Sequence, residues 1–268
     1  VLSIEKIKLS DVNTISIYWK PWRIKTRIIG TIKKLFISPT SRFAISKRIN
    51  ELFIKSKKNN SSKWTDLLFI KNILKERFGK LDAKICFYDH HITHQRYGEM
   101  INNWNNFISL SYDGGGESDS TVLSVVIEGN RKILSIHKWP NSLGHFYSTF
   151  TGYLGFKMLE GEYKMMGLAP YGNPRYTEII LTEILQLKNN GYYKLNTRVC
   201  DYHAALIGKY HKKLSLLFGD RRIENEELTE KHIDLASSVQ NAFEIALKHV
   251  LSPATDNYPN IKKLVITG

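Results

Sequence analysis

The sequence predicts a mixed α/β fold, and three neighbouring patterns carry this prediction. A short apolar segment, Lys84–Tyr88, is typical of a buried strand and is followed by a helical pattern. A second strand-like segment, Phe107–Tyr112, comes next. Two alternating segments, Ser120–Ile127 and Lys132–Lys138, then flank Gly129-Asn130, which is a hairpin signal. Strands that alternate with a helix and continue into a hairpin indicate a mixed α/β sheet.

Hydrophobic spacing and the positions of glycine and proline predict the remaining elements. Asn13–Tyr18 alternates as a short strand does, and Ile261–Thr267 is a final strand. Trp64–Phe78 has a helical pattern that ends at Gly79, a residue suited to a helix C-terminus. Further helices are predicted for Ser142–Gly155, Pro174–Leu187, Asp201–Leu217 and Glu224–Val250, and two basic amphipathic helices between Arg23 and Lys58.

The composition is that of an ordinary soluble globular protein. A length of 268 residues favours one large domain or two modest ones, and 42% hydrophobic residues suffice for a core. The two cysteines, Cys86 and Cys200, form no disulfide framework or CxxC site, which favours a cytoplasmic location. There is no run of 18 apolar residues, so we expect no membrane span. The Val1 start and the end after a strand-like segment are typical of a fragment.

The net charge of +14 is concentrated near the start of the chain. Residues 1–63 contain 15 Lys and Arg against 3 Asp and Glu, whereas the other 205 residues contain 24 against 22. Basic segments of this kind can bind nucleic acid or acidic membranes, but they more often form a solvated surface. Because no RNA-binding signature accompanies Trp19 and Trp22, nucleic acid is an unlikely partner.

Three histidines after the first central strand are candidate metal ligands. His90 and His94 are four residues apart, so on a helix that starts after Asp89 their side chains lie about 40° apart and roughly 6 Å apart along the axis. Two imidazoles with one carboxylate can bind a divalent transition metal, and Asp113 can supply that carboxylate. The pair His91 and His94 also shares a helix face, and such histidines also occur as helix caps or buried hydrogen-bonding residues.

Other motifs are weaker individually. Gly114–Gly116 and Glu117 follow a strand, where a glycine turn allows backbone N–H groups to approach a phosphate, although a plain hairpin turn is equally common. Lys164 lies between apolar neighbours in Glu162–Gly172 and can bind an anion from a partly desolvated cleft, or it can simply extend to solvent. His145 lies on an aromatic-rich predicted helix.

Together these motifs resemble carbamoyltransferases of the type that modifies nodulation factors and antibiotics, the tobramycin carbamoyltransferase type. The resemblance covers some 180 residues and is densest in one segment. The matching pieces are His90–His94, Asp113–Glu117, Ser142–Tyr147, Thr151–Phe156, Glu162–Gly172 and Leu264–Gly268, of which Glu162–Gly172 is the most diagnostic.

The resemblance implies an actin-like ATPase (ASKHA, ribonuclease H-like) fold, truncated at both ends. Residues 1–80 then form a basic helical portion of the first subdomain, and residues 81–268 form a core that binds metal and nucleotide phosphate. The implied ligands of Fe(II) or another divalent metal are His90, His94 and Asp113. The turn Gly114–Glu117 and Gly268 are implied to face the nucleotide, and His145, Lys164 and Glu162 are the candidate catalytic residues, with no role readable for the last two.

The implied reaction has two stages. Carbamoyl phosphate and ATP form carbamoyl-adenylate in a C-terminal domain that this sequence lacks, and the present domain transfers the carbamoyl group to a small-molecule hydroxyl acceptor. A partial chain of this kind is expected to be inactive alone. Two alternatives stay open: carbamoylation linked to tRNA or hydrogenase maturation, and a homologue that binds nucleotide or nucleic acid without catalysis.

Overall fold

The structure is a computed structural model that describes residues 8–24, 64–199 and 212–268. The two basic helices predicted between Arg23 and Lys58, and most of the predicted helix Asp201–Leu217, lie outside these residues. The chain divides into two compact units, one of residues 1–93 and 116–118 and the other of residues 94–115 and 119–268. The division falls inside a helix, between Thr93 and His94.

The first unit contains a small parallel sheet. Strand β1 (Thr14–Ile17) pairs with β2 (Lys84–Phe87) in a register that joins Thr14 to Lys84 and Ile17 to Phe87. Between them in sequence, Trp64–Phe69 forms a 3₁₀ turn and Ile70–Phe78 forms helix α1. The helix ends at Gly79, whose φ of +83° is a conformation that glycine adopts at little cost. Both predicted strands and this helix end are confirmed.

Helix α2 (His90–Ile101) carries the three histidines. It is the predicted helix, although it ends three residues before Trp104. Thr93 N–H donates to the backbone carbonyl of Asp89 at 2.9 Å, which closes the first helical turn. The Asp89 carboxylate pairs with Lys20 at 2.6 Å and with Arg23, so its side chain links the helix start to the segment after β1.

The described residues of the second unit contain a main sheet and a separate pair of strands. Its strands are β3 (Phe107–Tyr112), β4 (Asp119–Ile127), β5 (Asn130–Lys138), β6 (Leu185–Leu187), β7 (Tyr193–Leu195) and β8 (Leu264–Thr267). Strands β6 and β7 form a separate antiparallel pair. The main sheet has the order β5-β4-β3-β8, in which only the β3–β8 pair is parallel.

The hairpin between β4 and β5 is confirmed, with its turn one residue earlier than predicted. Glu128 and Gly129 have φ values of +50° and +77°, so they are the central turn residues. Two consecutive residues with positive φ match the right-handed twist of the flanking strands. The sequence pointed to Gly129-Asn130, but Asn130 already belongs to β5.

Helices of the second unit pack against the main sheet. They are α3 (Leu143–Tyr153), α4 (Glu162–Leu168) with a 3₁₀ turn at Ala169–Tyr171, α5 (Thr177–Glu183), α6 (Lys212–Phe218) and α7 (Glu230–Asn257). One buried cluster joins sheet and helices, with Leu110, Leu123, Phe146, Phe150, Val239, Ala242 and Ala246 among its fully buried members. The predicted mixed α/β architecture is therefore confirmed, whereas its assignment to the actin-like class stays a prediction.

Two predicted helices have wrong boundaries. Pro174–Leu187 ends in strand β6 and not in helix, because Leu185–Leu187 pairs with β7 across a turn at Asn190 and Gly191. The helix predicted from Glu224 begins only at Glu230, where Thr229 and His232 form a capping box that satisfies exposed backbone N–H groups. In the described part of the chain, no helix combines the length and the apolar character needed to cross a membrane.

Candidate metal centre

His90, His94 and Asp113 bring potential ligand atoms together. Helix α2 is continuous, so its geometry alone places His90 and His94 about one turn apart on neighbouring positions of one face. One ligand atom from each of His90, His94 and Asp113 lies within 4.8 Å of the other two. His94 Nε2 is 3.8 Å from Asp113 Oδ2. The cluster contains the three residues that the sequence nominated.

Between the two histidine pairs that the spacing allowed, the geometry selects His90 with His94. His91 is only 2% exposed and does not belong to the cluster. It lies four residues before Gln95, which is completely buried, so both occupy the inward face of the helix. His90 and His94 lie on the adjacent stripe, where His90 is 9% exposed and His94 is half-buried.

The start of helix α2 and the ring of His90 are held within the first unit. The His90 ring contacts Tyr18 and Trp19 at centroid distances of 5.7 and 5.3 Å. Buried Glu117 accepts hydrogen bonds from Lys20 N–H at 2.5 Å and from His90 N–H at 3.4 Å. A carboxylate at a helix N-terminus also interacts favourably with the helix dipole. The carboxylate of Glu117 thus accepts hydrogen bonds from two backbone N–H groups. The contact with a nucleotide that the sequence suggested for Glu117 stays a prediction.

The glycine turn allows the chain to pass close to His90. A side-chain Cβ at Gly116 would lie 2.9 Å from His90 Cβ and 3.0 Å from its Cδ2. Gly115 has a φ of +132°, which side-chain-bearing residues rarely adopt. The turn therefore requires glycine at Gly115 for its backbone conformation and at Gly116 for its packing against an imidazole.

Three local contacts orient Asp113. Its Oδ1 accepts a hydrogen bond from Gly115 N–H at 2.5 Å, which leaves Oδ2 directed at His94. Its backbone carbonyl accepts one from Ser142 Oγ at 2.9 Å. A Cβ at Gly144 would lie 2.7 Å from the carbonyl carbon and oxygen of Asp113, so the first turn of helix α3 packs directly against this peptide. Partners that orient a ligand in this way tune metal affinity.

His145 lies on the first turn of α3, beside the glycine turn. The nearest atom to a Cβ built at Gly114 is His145 Cε1, at 3.6 Å. Ser142 caps this helix by accepting a hydrogen bond from His145 N–H at 3.1 Å. The half-buried imidazole thus lies next to the Asp113–Gly114 peptide.

Gly268 lies at the same edge of the sheet. A Cβ built on Gly268 would overlap with the Tyr112 carbonyl oxygen, so the backbones of these two residues are in close contact. Tyr112 is the last residue of β3 and Gly268 directly follows β8; these two parallel strands pair Ser111 with Thr267. In α/β sheets, ligands bind outside the carboxyl ends of parallel strands. Asp113, the glycine turn and Gly268 all lie at that edge.

Glu162 and Lys164 do not belong to the cluster of candidate ligands. Glu162 Oε1 accepts hydrogen bonds from Ser148 Oγ at 2.6 Å and from Leu159 N–H at 2.8 Å, so it anchors α4 to α3. Lys164 is exposed, with its Nζ 6.0 Å from the centroid of the Tyr163 ring. The Lys164 side chain therefore extends to solvent, and its role in binding an anion stays a prediction.

Sequence reasoning missed the residues that hold the ligands. Ser142, Gly144 and Gln95 were not singled out for this role, although each contacts the ligand-bearing segments. Ser142 had a usable signal, since a serine directly before a predicted helix is a preferred N-cap. Gly144 and Gln95 had none, because their contacts depend on how α3 and α2 pack on the sheet.

The donor set fits a divalent transition metal. Two imidazole nitrogens and one carboxylate oxygen, with other positions open, suit Fe(II), Zn²⁺ and related ions. Ligand atoms about 2.0–2.2 Å from one ion lie roughly 3–4 Å from each other. The 3.8 Å separation between His94 Nε2 and Asp113 Oδ2 falls in this range, and the other ligand atoms of the set lie within 4.8 Å of one another.

Comparison with known proteins gives the family. The family model described as the N-terminus of carbamoyltransferases matches residues 1–268. An uncharacterised protein of Synechocystis is 34% identical over 246 residues, covering 87% of this chain and 37% of that protein. Nodulation protein NolNO of Sinorhizobium fredii is 30% identical over 75% of this chain and 28% of its own length. Nodulation protein NolO of Bradyrhizobium diazoefficiens is 32% identical over 61% of this chain and 28% of its length.

The chain therefore spans between 28% and 37% of the length of these relatives. The family match runs along the whole chain and includes every residue of the candidate centre. On this basis, the chain belongs to the carbamoyltransferase family and corresponds to its N-terminal region.

Proposed function

We propose that the protein transfers a carbamoyl group from carbamoyl-adenylate to a hydroxyl of a sugar-like or natural-product acceptor. The observation that carries this proposal is the cluster of His90, His94 and Asp113 in a chain that a carbamoyltransferase family model matches throughout. The carbamoyl-adenylate is expected to come from carbamoyl phosphate and ATP, in a domain outside this sequence. The acceptor class rests on the family resemblance.

The three ligands would hold Fe(II) or another divalent ion, which when bound supplies a Lewis acid at the carboxyl edge of the sheet. The protein's own part is to fix the ligands before the substrate arrives. Asp113 is held by Gly115 N–H and Ser142 Oγ, and His90 by the aromatic rings of Tyr18 and Trp19. Pre-positioned groups of this kind need little reorganisation during the reaction.

His145 is the proposed proton acceptor. Its half-buried ring lies beside the glycine turn, where we expect the phosphate of the adenylate. A neutral imidazole can accept the hydroxyl proton as the acceptor oxygen forms a bond to the carbamoyl carbon. The bond between that carbon and the phosphate oxygen then breaks, and AMP leaves with its electron pair.

Two further parts of the site follow from the fold. Gly115 N–H already donates to Asp113. We therefore expect neighbouring backbone groups of this turn, together with Gly268, to contact the phosphate. Lys164 is open to solvent and stays in the proposal as a cationic contact for an anionic ligand. Glu162 positions α4, which carries Lys164.

The chain alone is expected to be inactive with carbamoyl phosphate and ATP, because another domain is expected to make the carbamoyl-adenylate. The test therefore supplies synthetic carbamoyl-adenylate to the purified chain and measures AMP release, with and without methyl glucoside as a hydroxyl acceptor. We expect metal-dependent release that the acceptor accelerates, because both water and sugar hydroxyls can attack the carbamoyl carbon. Metal content measured by mass spectrometry should be close to one ion per chain and near zero in His94→Ala.

The matched control is His232→Gln, a histidine variant on helix α7 that preserves a hydrogen-bond acceptor at the helix cap. It should retain the metal and the AMP release of the parent chain. Equal metal content in His94→Ala and the parent would reject the ligand assignment. Metal binding without any turnover of carbamoyl-adenylate would reject the transfer reaction for this chain.

A further inference from the structure

Gln95, one residue after His94, makes a complete set of hydrogen bonds inside the second unit. Its side chain is fully buried at 0% exposure. The amide nitrogen donates to the backbone carbonyls of Ser109 at 3.1 Å and Val122 at 2.8 Å. The amide oxygen accepts from Ser124 Oγ at 3.0 Å and from Arg131. Both donors and both acceptor positions of the amide are therefore used.

These bonds connect helix α2 to three strands. Ser109 belongs to β3, Val122 and Ser124 belong to β4, and Arg131 belongs to β5. An apolar side chain in this position would pack on the sheet but would tolerate small rotations of the helix. A fully bonded amide favours one orientation, because displacement of the helix leaves buried polar groups unpaired, which costs free energy.

A second contact fixes the distance between helix and sheet. A Cβ at Gly98, three residues after Gln95, would lie 2.6 Å from Val265 Cγ1 and 2.8 Å from Thr267 Cγ2. The α2 backbone therefore touches the side chains of β8 at this glycine. Gln95 and Gly98 form one inward stripe of the helix, and together they set its rotation and its height above the sheet.

The rotation matters because His94 is adjacent to Gln95 and faces a ligand on the same sheet. Strand β3 carries Ser109, which bonds to Gln95, and leads directly to Asp113. An imidazole nitrogen lies about 6–7 Å from the helix axis, so a rotation of about 10° moves it by about 1 Å. Metal–ligand distances tolerate only about 0.2 Å.

We propose that Gln95 is a positioning residue of the candidate metal centre: its amide network locks helix α2 on the sheet so that the His94 imidazole meets Asp113. This inference rests on the proposed function, since it assumes that His90, His94 and Asp113 bind a metal. It assigns a role to a residue that touches neither metal nor substrate.

The test uses Co²⁺ as a probe, because its visible absorption reports coordination geometry as well as occupancy. Gln95→Met keeps the length of the side chain and removes every hydrogen bond. We expect a Co²⁺ dissociation constant at least tenfold higher and a shifted absorption band, as found when residues that orient ligands are changed. Gln186→Met is the matched control, since Gln186 lies in strand β6 and its amide makes local, exposed hydrogen bonds with Thr182 and Lys188. It should bind Co²⁺ as the parent does.

Circular dichroism and urea unfolding establish that each variant is folded. If Gln95→Met does not fold, Ser124→Ala replaces it; that variant removes one donor to the amide and should raise the dissociation constant about threefold with a smaller band shift. Co²⁺ binding that depends on His94 but is unchanged, in affinity and spectrum, in the folded Gln95 or Ser124 variant would overturn the positioning role alone. A parent chain without His94-dependent Co²⁺ binding would overturn the proposed metal site and this role with it.

Discussion

Substitution of Gly144 by alanine should weaken the metal centre without touching a ligand. The new Cβ would lie 2.7 Å from the carbonyl carbon and oxygen of Asp113 and 2.8 Å from Gly114 N. Ordinary contacts begin near 3.4 Å, so α3 and the Asp113–Gly114 peptide must separate by about 0.7 Å. These three neighbours are backbone atoms, which cannot rotate away as side chains do.

A displacement of about 0.7 Å exceeds the tolerance of a metal–ligand bond, about 0.2 Å, several-fold. We therefore expect Gly144→Ala to bind Co²⁺ or Zn²⁺ about 10- to 100-fold more weakly, the range found for residues that orient ligands. The overpacking should lower the free energy of unfolding by about 1–3 kcal/mol, partly offset by the better helix propensity of alanine.

Calorimetric metal titration and urea unfolding measure these two effects. Gly167→Ala is the matched control, because a Cβ at this exposed helical glycine has no neighbour within 4 Å. It should bind metal as the parent does and gain about 0.5–1 kcal/mol of stability. Metal affinity in Gly144→Ala within twofold of the parent would show that close packing of α3 does not position Asp113.

Two further predictions concern the second unit. Burial, with a smaller contribution from His249, lowers the pKa of His137 from 6.5 to about 4. As the pH falls, the unfolded state therefore binds the proton before the folded state does. The stability that is present above pH 6.5 is lost progressively down to about pH 4. His137→Phe, which keeps a ring against Tyr193, should remove about 1.4 kcal/mol per pH unit, and about 3 kcal/mol in all, from the acid dependence of the unfolding free energy; equal pH slopes in parent and variant would contradict this. Ser142→Gly should lower the free energy of unfolding by only a few tenths of a kcal/mol through the loss of the helix cap. It also removes the hydroxyl that donates to the Asp113 carbonyl, so metal affinity should fall more than stability does. Proportionate losses of affinity and stability in the same titration and unfolding experiments would mean that Ser142 acts only as a cap.

Local sequence signals were sufficient for the elements that carry the candidate ligands. The apolar run before His90 and the alternation in Phe107–Tyr112 gave β2, α2 and β3 close to their observed limits, because each element is defined by neighbours within a few residues. Helical spacing also nominated His90 and His94. It could not choose between His90 and His91, since that choice depends on which face of α2 packs on the sheet.

The parts that were missed depend on contacts between residues far apart in sequence. Leu185–Leu187 continues a helical pattern, yet it becomes a strand because Tyr193–Leu195 folds back to pair with it. The contacts of Glu117 are of the same kind, since its carboxylate accepts hydrogen bonds from the N–H groups of Lys20 and His90, which lie 97 and 27 residues away. Gly144 and Gln95 matter through the same kind of long-range contact, for which one sequence holds no code.

X-ray absorption at the cobalt edge tests the metal centre most directly. The Co²⁺-loaded chain should show two imidazole nitrogens and carboxylate oxygen at about 2.0–2.2 Å. One imidazole should disappear in His90→Ala and in His94→Ala, and the carboxylate contribution should fall in Asp113→Asn. A spectrum without imidazole scattering, or one that these substitutions leave unchanged, would contradict the assignment of these three residues.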